Sequence, residues 1–211
     1  MMIHSLFDEA ALQRISEAVS AAERHTTAEL VPVVITRCDS YSEGRYRGAM
    51  VGLGAMTLIA PLVPSVTSLA GFVVMQVLGL ALGFWISSYD PIERALIGKK
   101  TLNLATRARA ERAFLENGLQ RTQAATGVLI FVSLFEHSIV VLADTGVTAK
   151  IDASAWTKVT AAFTARMRQQ QPVEGLCDAL STAGELLAGA LPSRPGSHNP
   201  NELPDRALVS T

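Results

Sequence analysis

Charge is scarce in this chain. Only 18% of its 211 residues are Asp, Glu, Lys or Arg, against 49% hydrophobic residues. Soluble domains carry about a quarter charged residues, so part of the chain is expected to sit in lipid. The formal net charge of −1 leaves no basic field for nucleic acid. Cysteine is nearly absent: Cys38 and Cys177 stand far apart with no CxxC spacing. That excludes a disulfide framework and a cysteine zinc site, and two reduced thiols in a cytosolic setting are expected. The short catalytic signatures are missing too. There is no HExxH, no EF-hand ligand ladder, no Walker A loop and no GxSxG. The start, MMIHSLFDEAALQ, has no basic n-region and places Asp8 and Glu9 where an apolar h-region would lie, so it is read as the beginning of a helix rather than a signal peptide.

What the chain has instead is a long uncharged block from Gly48 to Tyr89. One membrane span takes about 20 residues, so this block of about 40 fits two crossings. Pro61, Pro64 and the hydroxyl residues of PLVPSVTS mark the turn between them. The spans are expected near 47–63 and 68–87. Trp85 and Tyr89 suit an interfacial aromatic belt. Gly52, Gly54, Gly79 and Gly83 would let the helices approach closely. Arg37, Arg45 and Arg47 precede the block; Arg94, Lys99, Lys100, Arg107 and Arg109 follow it. Positive flanks put both termini and the soluble part in the cytoplasm of a bacterial-type inner membrane. Arg94, Lys99 and Lys100 also suit anionic head groups.

The rest reads as one α/β domain interrupted by the hairpin. Residues 5–25 form an amphipathic helix with Leu12, Ile15, Val19 and Ala22 on one face, started by a capping-box variant at Ser5 and Asp8. AELVPVVITR, 28–37, is a strand, in which Pro32 favours an edge or the strand start. Asp90-Pro91 opens a helix that runs to about Asn117, with a break near Thr101, and Gly118 ends it. GVLIFVSLF and SIVVLAD form a β-hairpin turned at Glu136-His137-Ser138, because a membrane span there would bury Glu136 and His137. Such continuous apolar runs suggest strands covered by helices on both faces. Helices over 152–171 and 174–191 follow. The expected organisation is 1–46 and 90–192 as two parts of one domain, 47–89 as a transmembrane hairpin, and 193–211 as a flexible or docking tail.

AELVPVVIT after an amphipathic helix, RAFLENGLQRT on an Ala/Arg-rich helix, TGVLIFVSLFEHSIVVLADTGV, a Trp-bearing helix and GLCDALSTAGELLAGALP together resemble the TPM domain family, in its bacterial membrane-embedded branch. The resemblance implies a small sheet sandwiched by helices. It also implies roles seen among relatives: assisting membrane complexes, binding calcium, or weak acid-phosphatase activity. Many relatives carry an acidic or amide residue just before the glycine of the GVL strand, where this chain has Ala125-Thr126, so those chemistries do not carry over directly.

Among the residues themselves, Glu136 and His137 are the candidates for acid–base work, since histidine exchanges protons near neutral pH and a carboxylate can orient it. Adjacent turn residues point apart, however, and Asp144 lies about 20 Å along the return strand at roughly 3.3 Å per residue. Asp144 and Asp152 are the candidates for shared oxygen ligation of a cation such as calcium. His4, His25 and His198 are isolated, and Cys38 is juxtamembrane. The expectation is therefore a non-catalytic interaction or assembly module for a membrane-protein partner, with no catalytic residue and no cofactor. A weak metal-dependent phosphatase or calcium-binding domain is the alternative, and a homodimer is left open.

Overall fold

A computed structural model describes residues 6–63, 66, 68–122, 124–193 and 208–210. The chain divides into two units, 1–38 with 105–211, and 39–104.

The first unit is built on a mixed sheet in the order β3-β2-β1-β4. β1 (Glu29–Ile35) and β2 (Gly127–Ser133) run parallel, with Glu29 opposite Gly127 and Ile35 opposite Ser133. β3 (Ser138–Ala143) returns antiparallel to β2. Both parallel strands are buried along their whole length. The continuous Val/Ile/Leu runs produce this, because alternate residues meet different helix layers. Leu30, Val34, Val128, Ile130 and Val132 face a core with α1 (Glu9–Glu23), α7 (Thr157–Met167) and α8 (Pro172–Ala190). Val31, Val33, Ile35, Leu129 and Phe131 face Ala110 and Ala113 of α5 (Lys99–Glu116) and Leu119. The small sheet flanked by helices is thus present.

Several boundaries differ from expectation, each for a local reason. Asp8 itself caps α1, its carboxylate accepting from the Ala11 N–H at 2.8 Å; Ser5 lies outside the described residues. The hairpin turn is 134–137, not Glu136-His137-Ser138: Ser138 pairs with Ser133 as the first residue of β3, and Leu134 and Phe135 leave the strand. β3 is an edge strand and only half-buried, so its apolar run is covered less fully than that of β2. The helix expected over 152–171 is shorter, Thr157–Met167, and ends before Pro172; Pro172 instead starts α8, since its missing amide costs nothing in a first helical turn. Trp156 belongs to a short 3-10 turn, Ala153–Trp156, ahead of α7. Within the segment read as a flexible or docking tail, Leu208–Ser210 forms β4, parallel to β1 at Val33–Ile35.

The second unit contains α2 (Ser42–Ile59), a 3-10 turn (Ala60–Leu62), α3 (Leu69–Ile86), α4 (Asp90–Ile97) and the start of α5. Pro64 of the expected turn lies outside the described residues. α3 is long and apolar enough to cross a membrane, with mean hydropathy 2.1, and only 6% of it is buried. α2 starts earlier than expected, and its first turns carry Glu43, Arg45 and Arg47, so it is not a helix of that kind end to end. α2 and α3 approach backbone to backbone at their glycines. A Cβ on Gly52 would lie 2.1 Å from the Gly79 carbonyl oxygen, and one on Gly83 would lie 2.3 Å from the Gly48 oxygen. Gly54 has nothing within 4 Å, so it plays no part in this approach. The Thr57 hydroxyl donates to Gln76 Oε1 at 3.2 Å across the pair. The break after α4 is at Gly98, with φ +87°, rather than near Thr101; only glycine takes that conformation without strain. Tyr89, not Asp90, is the N-cap residue of α4.

Candidate functional site

Ligands of open α/β sheets bind beyond the carboxyl ends of parallel strands. Here those ends are Ile35 and Ser133, and both chains continue in register past them. The Leu134 N–H donates to the Ile35 oxygen at 3.0 Å, and the Phe135 N–H to the Thr36 oxygen at 2.9 Å. The turn then closes at His137, whose φ of +49° is a left-handed conformation that histidine tolerates at a tight turn. This folds Glu136 back over the strand ends. One of its carboxylate oxygens accepts from the Ser133 hydroxyl, and the other accepts from the Cys38 N–H at 2.9 Å. Glu136 is only 7% exposed and Ser133 is fully buried. His137 is exposed. Beside them the Arg37 guanidinium stacks 3.6 Å above the Phe135 ring, a cation–π contact.

Sequence reasoning singled out Glu136 and His137 together, and the fold separates them. It joins Glu136 instead to Ser133 and Cys38, 98 positions away in sequence for the latter. A parity argument could have found Ser133, three residues before Glu136 across a tight turn. Nothing in the sequence pointed to Cys38, since its approach depends on the parallel pairing of β1 with β2.

The chemistry of this cluster is that of a satisfied buried carboxylate beside a suppressed thiol. Burial pushes the Cys38 thiol up from 9.0 to about 11; a hydrogen bond with Ser133 opposes this and the Glu136 charge adds to it. A nucleophilic cysteine needs the reverse, a cationic or helix-N-terminal setting that lowers its pKa. Cys38 is therefore expected to react with maleimide about 100-fold more slowly than an unperturbed thiol near pH 8. Its rate should climb about tenfold per pH unit until about 11. Mass-spectrometric labelling across pH checks this; a flat rate between pH 7 and 9 contradicts it.

The other candidates lie at the far end of β3. Asp144 caps the short α6 (Thr145–Thr148), its carboxylate accepting from the Thr145 N–H at 2.6 Å. Its own N–H donates to the Gly127 oxygen, tying it to the start of β2. Asp152 caps the 3-10 turn before α7, accepting from the Ser154 N–H at 2.8 Å. Hydrogen bonds from Ser154, side chain and then backbone, hold the Asp152 carboxyl below its ordinary range. Each candidate metal ligand thus has a helix-start role. Among the described residues no group of three or more His, Cys, Asp or Glu is placed to hold a metal ion. His25 borders a small-residue groove of about 480 Å³ between α1 and α8, with Ala18, Ala21, Gly184, Glu185 and Ala188. His4 and His198 lie outside the described residues.

No family model matches the chain. No curated protein matches it either. Among solved structures it is similar to the BA42 protein of the psychrophilic bacterium Bizionia argentinensis, determined by NMR, with 17% identity and a TM-score of 0.61 over 99% of each chain. At that identity the likeness is one of fold.

Proposed function

We propose that this chain is an integral membrane protein in which a TPM-like α/β domain, non-catalytic, serves as an interaction or assembly module for a membrane-protein partner. One observation carries the reading: α3 is an 18-residue apolar helix of which only 6% is buried. A core helix of a soluble protein hides such a surface. This one leaves Phe72, Val73, Val74, Val77, Leu78 and Trp85 exposed, a face that water penalises and lipid accepts. α2 continues the apolar surface with Met50, Val51 and Leu58 and packs directly on α3. This supports a two-helix hairpin of which α2 contributes the residues after Arg47. Arg45, Arg47, Arg94, Lys99 and Lys100 lie on the flanks, which supports a cytoplasmic α/β domain. The tasks already held by Glu136, Asp144 and Asp152, a buried stitch and two helix caps, support a binding role over a catalytic one.

The test is gentle detergent purification of the tagged chain from its own membranes, with mass spectrometry of what accompanies it. The expected result is that the chain resists alkaline carbonate extraction and recovers a membrane protein in fixed ratio. His137→Ala and Asp144→Ala should leave that ratio unchanged. Release by carbonate would remove the membrane reading. Recovery of the chain alone, with phosphate-ester hydrolysis that is lost on chelation and in Asp144→Ala, would favour a metal-dependent phosphatase instead.

A further inference from the structure

The outer edge of β1 is divided in two. The Glu29 N–H donates to the Thr126 oxygen, towards β2, so odd-numbered residues of β1 hydrogen-bond inward. Leu30, Pro32 and Val34 therefore present their main-chain groups to the outer edge. The first half of that edge is closed: the Glu23 carboxylate accepts the Leu30 N–H at 2.6 Å, and Pro32 has no N–H to offer. The second half, at Val34, keeps both a donor and an acceptor. Pro32 thus lies on the part of β1 that β4 does not cover, in keeping with the expectation that it favours an edge. Its missing donor falls where no neighbouring strand needs it.

β4 occupies only that second half. Val33 is opposite Leu208, Val34 opposite Val209 and Ile35 opposite Ser210, in parallel. This register sets the Val34 N–H against the Leu208 carbonyl and the Val34 carbonyl against the Ser210 N–H. The start of the tail is fixed separately. The Ser193 N–H donates to the His25 oxygen, the Thr27 N–H donates to the Leu191 oxygen, and Thr26 bridges Pro192. Ser193 is thus pinned just upstream of β1, and Leu208 meets β1 seven residues or about 23 Å further on, at roughly 3.3 Å per residue. Fifteen chain steps join them and can span about 50 Å, more than the distance between the two anchors.

We propose that the Val34 edge is a peptide-docking site for an extended strand in parallel register, and that its ligand is the Leu208–Ser210 segment of this chain, exchangeable between two copies. Three residues and the two main-chain bonds at Val34 hold the segment, which sets its docking at about ten- to a hundredfold over release. A short tether supplies an effective concentration in the millimolar range, so the tail of a second copy competes when copies are held at comparable local concentration. The closed first half sets the ligand length: a longer strand would run against Glu23 and Pro32.

Proline placement tests this in the full chain. Ser210→Pro removes the N–H that faces Val34, whereas Val209→Pro removes one that faces away. Residue-resolved hydrogen exchange should show the Val34 amide exchanging about tenfold or more faster in Ser210→Pro, and little changed in Val209→Pro. The Val33 amide, which bonds to β2, should be unchanged in both and reports that the fold is intact. A synthetic peptide of residues 201–211 at millimolar concentration should restore Val34 protection in Ser210→Pro, and the same peptide carrying Ser210→Pro should not. Unchanged Val34 exchange in Ser210→Pro would overturn the docking site. Loss of protection that the peptide cannot restore would overturn exchange between copies.

Discussion

Gly79→Leu is expected to break the α2–α3 pair, while Gly54→Leu leaves it intact. The two glycines are alike by composition and both lie in the uncharged block. Their surroundings differ completely. A Cβ at Gly79 would fall 2.6 Å from Met56 Cγ and 2.8 Å from the Gly52 carbonyl oxygen; one at Gly54 meets nothing within 4 Å. The oxygen belongs to backbone, which cannot rotate aside as a side chain can. The helices must separate, and dispersion contacts along the seam are lost, because close backbone approach is what holds apolar helices together in lipid. Overpacking costs about 1–3 kcal/mol in ordinary cores, and a leucine against backbone belongs at the upper end. Thermal unfolding in detergent should show a lower midpoint for Gly79→Leu and Gly52→Leu, with Gly54→Leu close to the parent. Partner recovery should fall with the first two. Equal behaviour of Gly54→Leu and Gly79→Leu would refute the glycine seam, and partner recovery undiminished in Gly79→Leu would remove the seam from the contact surface.

Glu136→Ala should be among the most destabilising single changes in the α/β unit, without Glu136 taking part in any reaction. Its carboxylate serves the Ser133 hydroxyl and the Cys38 N–H, and both are lost at once. Leaving a buried donor unpaired costs about 1–3 kcal/mol; the Cys38 N–H is only partly buried and counts for less, so a loss of about 2–4 kcal/mol is expected. For a chain of this size that lowers the melting midpoint by roughly 4–16 °C. Ser133→Ala combined with Glu136→Ala should recover part of it, because the orphaned hydroxyl goes with its partner. Glu136→Gln retains an acceptor for Cys38 and should cost less than alanine. A catalytic Glu136 would behave in the opposite way: Glu136→Gln would keep the fold and abolish function. Calorimetry of the three variants beside partner recovery separates the two.

Most of the elements could be read from the sequence because they rest on local patterns. The Ile15/Val19/Ala22 spacing, the β-branched runs of β1 and β2, and Gly118 each act over a few residues. The misplacements occur where neighbours in space decide. The turn at 134–137 is shifted by the ladder that pairs Ser133 with Ser138. Gly52, Gly54, Gly79 and Gly83 were legible as close-approach glycines, but that Gly48 belongs to the seam and Gly54 does not became visible only with α2 against α3. The candidate cluster was half legible: Glu136 stood out as a charge between apolar runs, but its burial did not.

By itself the sequence determined the two populations of residues, one apolar block without charge and one alternation of helix and strand around it. Hydrophobic periodicity and turn chemistry act locally, so these survive any change of context. Tertiary structure alone decided which polar groups meet. Parallel pairing of β1 and β2 brings Cys38 to Glu136, main-chain parity hides the missing donor of Pro32, and the same parity leaves Val34 to receive Leu208–Ser210. The physical reason is that a buried polar group must find a partner, and that partner is supplied by register between distant strands, which no local pattern encodes.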